Sequence, residues 1–202
     1  DTLLSYLAWH YRMLPEQLLL CPIGRLDKDT SGLILVAKNK YAAQQMERQR
    51  THHTLSRVYL ALTEGHWTDQ PHSGLIDRPI EKIPDCFNRY RVADTGRPSS
   101  TEYEVLSEFN HENIPFSLVR LKLQTGRTHQ IRVHMASLSH PLLGDSIYGH
   151  AGFLGFDRAA LHSFEITCQL PGHQDLAVFS SEMPEDFQKV IVESQKPSSG
   201  LV

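Results

Sequence analysis

The sequence predicts an α+β fold: one domain with a mixed, largely antiparallel sheet and with helices and loops packed around it. Three observations predict it. Segments with alternating or short continuous apolar patterns outnumber segments with helical spacing. Strands and helices do not alternate regularly, which argues against a βαβ wheel. No internal repeat or long linker divides the 202 residues, and a 40% hydrophobic content supplies one core. The domain is expected over residues 1–196. The last six residues, Pro-Ser-Ser-Gly-Leu-Val, look like an engineered linker and protease site and are set aside.

The elements follow in chain order. Leu3, Leu7, His10 and Leu14 share a helical face, and Pro15 is expected to end that helix. Pro22 and Gly24 lead into a polar turn, Asp27-Lys28-Asp29-Thr30-Ser31-Gly32. Residues 33–37 are continuously apolar and read as a buried strand. Asn39 suits the N-cap of a helix running to Arg48. Residues 57–63 alternate, with Val58, Leu60 and Leu62 on one face and Arg57, Tyr59, Ala61 and Thr63 on a face read as polar. Residues 66–100 are rich in Gly, Pro and charge, and predict turns, short strands and loop. Strands are expected at 101–106 and 118–124. Residues 128–138 switch to helical spacing, with Ile131, Met135 and Leu138 as the buried stripe. Residues 159–170 read as another strand or two, Pro171-Gly172 as a turn, and 185–192 as a last short helix.

Composition excludes several classes. No apolar run approaches the roughly 18 residues of a membrane span, and the chain, which starts at Asp1, shows no signal peptide. A cytoplasmic monomer, trimmed at its start, is the expectation. Cys21, Cys86 and Cys168 are odd in number, distant and without a C-x-x-C pair, so free thiols are expected rather than a disulfide or a zinc site. The twelve histidines are scattered and contain no H-E-x-x-H, so no metal and no cofactor is expected. With 20 basic and 23 acidic residues the net charge is −3 and the pI about 6.5. A nucleic-acid-binding domain is expected above a pI of roughly 9, so the balance stands as an objection to such a partner.

Three stretches carry chemistry. The first is Gly24-Arg25-Leu26-Asp27-Lys28-Asp29-Thr30-Ser31-Gly32. An EF-hand reading fails because its twelfth position, which needs Glu, is Lys38. A phosphatase loop with Asp27 as nucleophile and Asp29 as acid is the weaker alternative, and a plain Asp-rich turn is the simplest. The second, Arg57-Val58-Tyr59-Leu60-Ala61-Leu62, offers Tyr59 as a base-stacking ring or as an ordinary sheet residue. The third runs from Leu121 to Met135. It sets Arg127 and Arg132 around a strand-to-helix junction, where free N–H groups favour anions.

Together the stretches resemble the RluA-type pseudouridine synthase family. Gly24-Arg-Leu-Asp27-x-x-Thr30-Ser31-Gly32-Leu33 is similar to its catalytic loop, and Arg57-Val-Tyr59-Leu-Ala-Leu to its second motif. Thr125-Gly-Arg127-Thr-His-Gln-Ile-Arg132-Val-His, followed by Pro141-Leu-Leu-Gly144-Asp145 and Tyr148-Gly149, matches its third. Gly96-Arg-Pro-Ser-Ser-Thr101-Glu-Tyr103 and Ala160-Leu161-His162-Ser163 are weaker echoes. The order holds over nearly the whole chain. Two features depart from the family: Gly24 stands where many members have His, and no Lys-Pro-Ala-Gly strand precedes the loop.

The resemblance implies a sheet with helices and loops around a catalytic cleft, and isomerisation of specific uridines in structured ribosomal or transfer RNA without a cofactor. It implies Asp27 as the essential carboxylate, Arg132 as its ionic partner, and Tyr59 as the ring stacked on the base and a participant in proton transfer. Leu161 is implied to pack under the base, with Arg25, Arg57, Arg127, His129 and Gln130 holding substrate. The alternatives are a non-catalytic RNA-binding or folding factor and, behind it, the phosphatase. The charge objection then softens. Residues 38–59 carry +4 and residues 120–135 another +4, so the remainder carries −11. His52, His53, His129 and His134 are expected to add charge to that basic face below pH about 6.5.

Overall fold

The computed structural model describes residues 2–11 and 19–196. Its elements are α1 (Leu3–His10), β1 (Cys21–Ile23), β2 (Ser31–Gly32), β3 (Leu35–Ala37), α2 (Lys40–Thr51), β4 (Ser56–Glu64), β5 (Ser73–Asp77), β6 (Ile80–Lys82), β7 (Tyr90–Val92), β8 (Ser100–His111), β9 (Ile114–Leu123), α3 (Gln130–Ser137), β10 (Leu161–Gln169), β11 (Leu176–Ser180) and α4 (Glu185–Ser194). The main sheet has the order β11-β10-β4-β9-β8-β5, all antiparallel, and β2 pairs with β10 in parallel. Two small sheets, β1–β3 and β6–β7, flank it. The α+β, largely antiparallel expectation describes this architecture.

The centre of the sheet explains why one expectation on β4 needs correcting. β4 lies between β10 and β9, and every residue from Val58 to Thr63 is buried. Leu60 and Leu62 pack with Phe116, Leu118 and the α4 residues Phe187 and Val190. Tyr59 and Ala61, on the face read as polar, pack with Leu121, Leu161 and the α3 residues Ile131 and Met135. Helices cover both faces of this strand, so alternation of residue type does not mean alternation of exposure.

The helices follow their local signals. Asn39 caps α2, its Oδ1 accepting from the Ala42 N–H at 2.8 Å, and the helix runs three residues past Arg48. α3 is shorter than its spacing suggests and is more than a stripe: Gln130 through Met135 are all buried. α1 carries no buried residue, so the shared face of Leu3, Leu7 and His10 does not serve as a core face. Leu14 and Pro15 lie outside the described residues.

Two strands exceed their predicted limits. β8 and β9 form a long hairpin whose two-residue turn, Glu112-Asn113, has φ of 50° and 65°, as a tight hairpin turn requires. A bulge between Val105 and Ser107 flips the strand's faces, and the apolar pattern that signalled residues 101–106 stops there. The apolar run at 33–37 divides instead: Leu35–Ala37 forms β3, while the strand that reaches the main sheet is the preceding Ser31–Gly32. Among the described residues no helix is long and apolar enough to cross a membrane.

Candidate active site

The Asp27 loop lies between β1 and β2 and is held from behind. Gly24 opens it with φ of 83°, a left-handed conformation that glycine adopts without strain. A turn closes on Asp27, whose carbonyl accepts from the Thr30 N–H at 3.0 Å. Gly32 then presses against β10: a Cβ there would lie 2.2 Å from the Ser163 carbonyl oxygen. The Leu33 N–H donates to that same oxygen at 2.9 Å. The glycine of the first motif is therefore the point where the loop meets the sheet.

In front of the loop is a cavity of about 310 Å³. Asp27, Leu26 and Thr30 line it from the loop, Tyr59 and Arg57 from β4, and Leu161 from the start of β10. Arg127 lines it from the loop before α3, Gln130 and Ile131 from α3 itself, and Arg25 from the loop's entrance. The structure thus brings seven of the nine expected site residues to one wall-lined space. Tyr59 is 4% exposed, and burial raises its pKa, with Arg57 opposing and Asp27 adding to the shift. Its phenol stays protonated at neutral pH. Arg57 runs between two motif glycines: a Cβ on Gly126 would lie 2.9 Å from its Nη2, and one on Gly24 would lie 3.6 Å from its Nη1. Of the two, Gly126 is the one that leaves room for the guanidinium; at Gly24, the departure in the first motif, it is the left-handed backbone that suits glycine.

Arg132 and His129 do not line the cavity. Arg132 was expected to pair with Asp27, but its guanidinium closes on Asp145: Nε donates to Oδ2 at 2.7 Å and Nη2 to Oδ1 at 2.6 Å. Asp145 Oδ1 also accepts from the Ile147 and Tyr148 N–H groups at 2.9 and 3.1 Å. Burial pushes the Asp145 carboxyl up, and these donors outweigh it, so its pKa lies below the usual value. Asp27 touches Arg132 only through its field, and among the described residues its carboxylate has no ion-pair partner. The Tyr148 ring lies 5.2 Å from the Arg132 guanidinium. Its hydroxyl accepts from the Tyr90 N–H at 3.0 Å and is hydrogen-bonded to His129 Nδ1 at 2.9 Å. Burial pushes the Tyr148 hydroxyl up to about 12 and the His129 imidazole down. His129, at φ of 56°, is spent on this buried contact.

Gln130 lines the cavity but its amide is committed to the protein. Its Oε1 accepts from the Thr125 hydroxyl and the Arg127 N–H, at 2.8 and 2.9 Å. Its Nε2 donates to the Ser100 carbonyl and the Thr101 hydroxyl, at 3.0 and 2.9 Å. It braces the loop that presents Arg127. His134 is likewise structural: Nε2 donates to the Arg78 carbonyl at 3.0 Å, and Nδ1 bonds the Thr101 hydroxyl at 2.9 Å. Burial lowers its pKa too.

These contacts correct the charge count. Of the four cations in residues 120–135, Arg120 and Lys122 face Glu104 and Glu102 across the β8–β9 ladder, and Arg132 is bound to Asp145. Only Arg127 reaches the cavity. From α2, Glu47 and Arg50 also line it, joined by an Arg50 Nε–Glu47 contact of 2.8 Å that lowers the Glu47 pKa. No motif marked those two residues. Their place follows from the helix that Asn39 starts, which sets positions 47 and 50 one turn apart.

The model of the RNA pseudouridylate synthase family matches residues 12–137, which include the Asp27 loop, β4 and all of α3. The chain belongs to this family. RNA pseudouridine synthase YhcT of Bacillus subtilis is 38% identical to it over 94% of this chain and 61% of that protein. Ribosomal large subunit pseudouridine synthase D of Nitrosomonas europaea is 35% identical over 94% of this chain and 56% of that protein. This pseudouridine synthase chain therefore spans less than two thirds of those relatives' length. The solved structure of human RNA pseudouridylate synthase domain containing 1 superposes with a TM-score of 0.74 at 29% identity, covering 90% of this chain and 74% of that one. Human RNA pseudouridylate synthase domain containing 4 shares the fold, with a TM-score of 0.75 at 22% identity, over 96% and 83% of the two chains. The RluA-type assignment agrees with these relatives.

Proposed function

We propose that this chain isomerises uridines in structured RNA to pseudouridine, with Asp27 as the essential carboxylate. The observation that supports the reading best is the single cavity where Asp27, Tyr59 and Leu161 meet Arg25, Arg57 and Arg127. Its volume is near the lower end for small-ligand pockets, about 300 Å³, which suits one extruded base rather than a helix. In the reaction the C1′–N1 bond breaks, the base turns, and a C1′–C5 bond forms. The C5 proton leaves, and N1, freed from the sugar, gains one. A carboxylate serves by bonding transiently or by stabilising positive charge on the sugar.

The other residues divide the work. Tyr59 and Leu161 sandwich the base and offset the few kcal/mol lost on unstacking it. Arg25, Arg57 and Arg127 hold flanking phosphate. Arg57 and Ser163 flank Tyr59, and hydrogen bonding from both acts on its hydroxyl, so they hold that ring where the base is to stack. Because Tyr59 stays protonated, it does not act alone as the base that takes the C5 proton. Asp27 is the carboxylate beside it. Ribosomal large-subunit RNA is the first substrate to test, since relatives carry that name. The family match favours this reading over an RNA-binding factor or a phosphatase.

Unmodified ribosomal and transfer RNA, incubated with the protein and mapped for pseudouridine at base resolution, tests the reading. Product at discrete uridines, unaffected by chelator, is expected. Phosphate release without pseudouridine would overturn it.

A further inference from the structure

Arg158 lies three residues before Leu161 and His162 directly after it, yet neither lines the cavity. Both reach the back of the Asp27 loop. Arg158 Nη1 donates to three carbonyls: Asp29 at 3.1 Å, Ala159 at 3.2 Å and Leu161 at 3.2 Å. Its Nε and Nη2 donate to Asp186 Oδ2, at 3.0 and 2.6 Å. Asp186 stands in the first turn of α4, and the next residue, Phe187, sets its ring 5.7 Å from the guanidinium. One side chain therefore joins the C-terminal helix, the start of β10 and the carbonyl two residues beyond Asp27. His162 adds a second fastening: Nδ1 bonds the Ser31 hydroxyl at 2.9 Å and Nε2 the Ser181 hydroxyl at 2.7 Å.

The geometry points to Arg158, oriented by Asp186, as a positioning residue that fixes the backbone of the Asp27 loop. This rests on the reading of Asp27 as the catalytic carboxylate. The Asp29 carbonyl belongs to the same turn as Asp27, closed by the Thr30 N–H, so a shift at Asp29 moves Asp27 directly. The Asp27 carboxylate has no direct partner of its own among the described residues, so its place depends on its backbone. The planar guanidinium is suited to this: its fork grips Asp186 while its other end is aimed at carbonyls. The side chains of Arg158 and Asp186 are 22% and 40% exposed. A pair so solvated adds little to stability. A misplacement of about 1 Å at a reacting group can cost roughly 10²-fold in rate. Loss of the clamp is thus expected in turnover more than in folding.

The test measures kcat and KM on an RNA that the wild type modifies, for Arg158→Gln, Arg158→Lys, Asp186→Asn and Asp27→Asn, with circular dichroism and melting for each. Arg158→Gln should lower kcat by roughly 30- to 100-fold with KM within about 2-fold of wild type. Asp186→Asn, which keeps the guanidinium but not its anchor, should lower kcat by roughly 3- to 10-fold, also without a KM change. Arg158→Lys should fall between wild type and Arg158→Gln. An unchanged kcat in folded Arg158→Gln, or a loss confined to KM, overturns the proposal. If Arg158→Gln does not fold, Asp186→Asn decides by the same criterion. Product from Asp27→Asn would overturn the reading beneath it, whatever the Arg158 variants do.

Discussion

Arg132 and Asp145 form a two-pronged ion pair of 2.7 and 2.6 Å outside the lining of the Asp27 cavity, with the Asp145 side chain fully buried. The conspicuous arginine of the third motif is thereby tied to the segment that follows α3, and Asp27 is left without a direct counter-charge. The pair ties α3 to the turn at Asp145–Tyr148 and carries the Tyr148 ring with it.

Asp145→Ala should therefore be strongly destabilising. Removing one member of a buried pair typically costs about 3–5 kcal/mol, because the other charge is left uncompensated. Urea denaturation at pH 7 measures this. The pH dependence has a definite sign. The folded pKa of Asp145 is lowered, so its contribution is present above the ordinary aspartate value, about 4, and is lost as pH falls through the lower folded value. The acid limb of the wild-type stability curve should be shallower in Asp145→Asn.

The buried histidines act on a different limb. His129, His134 and His162 all have lowered pKa values, with burial the first cause in each. The unfolded chain then binds more protons than the folded one below pH about 6.5, so stability should fall as pH drops from 7.5 to 5.5. Urea midpoints across that range measure it, and His134→Gln should show a weaker slope. This reverses the expectation that His129 and His134 strengthen the basic face on acidification. They are buried parts of the framework, hydrogen-bonded to Tyr148 and to Thr101 and the Arg78 carbonyl.

Much of the fold and of the site was legible because the motifs were contiguous and chemically distinctive. Asn39 announced α2, and the Asp27 loop, Tyr59, Arg127 and Leu161 were each carried by their own stretch. What was not legible depended on the third dimension. Nothing local says that Arg132 turns to Asp145, that Gln130 spends both ends of its amide on the protein, or that Arg120 and Lys122 face glutamates across a ladder. Counting charge along the chain overstated the basic face because β-pairing neutralises it from a distant segment. Glu47 and Arg50 reach the cavity from a helix that carries no motif, and Arg158, just ahead of the Ala160–Ser163 stretch, reaches only the back of the Asp27 loop.

Gly32→Ala should detach the loop. The position has φ of 98° and a Cβ would meet the Ser163 backbone at 2.2 Å, with no flexible side chain to yield. Backbone strain of this kind costs about 1–3 kcal/mol, and displacing β2 from β10 would relieve it. The expected outcome is a lowered melting temperature and a large loss of kcat. Gly152→Ala, where nothing lies within 4 Å but φ is also positive, separates the strain from the clash and should leave turnover unchanged.

Phosphate contact makes a further expectation. KM for RNA should rise with salt as bound counterions are released. Arg127→Ala, at the exposed rim of the cavity, should raise KM and reduce the slope of log KM against log salt by about 1. Arg120→Ala, facing Glu104 away from the cavity lining, should leave that slope unchanged. Steady-state kinetics at several salt concentrations measure both.

The most direct measurement of the central claim is pseudouridine formation by wild type and Asp27→Asn on the same unmodified ribosomal RNA, mapped base by base. The side chains differ by one heavy atom, an oxygen exchanged for an NH2 group, so the cavity and the fold are expected to be retained while the carboxylate is lost. Modification at defined uridines by the wild type and none by Asp27→Asn is the predicted result. Equal product from the two proteins would contradict the account.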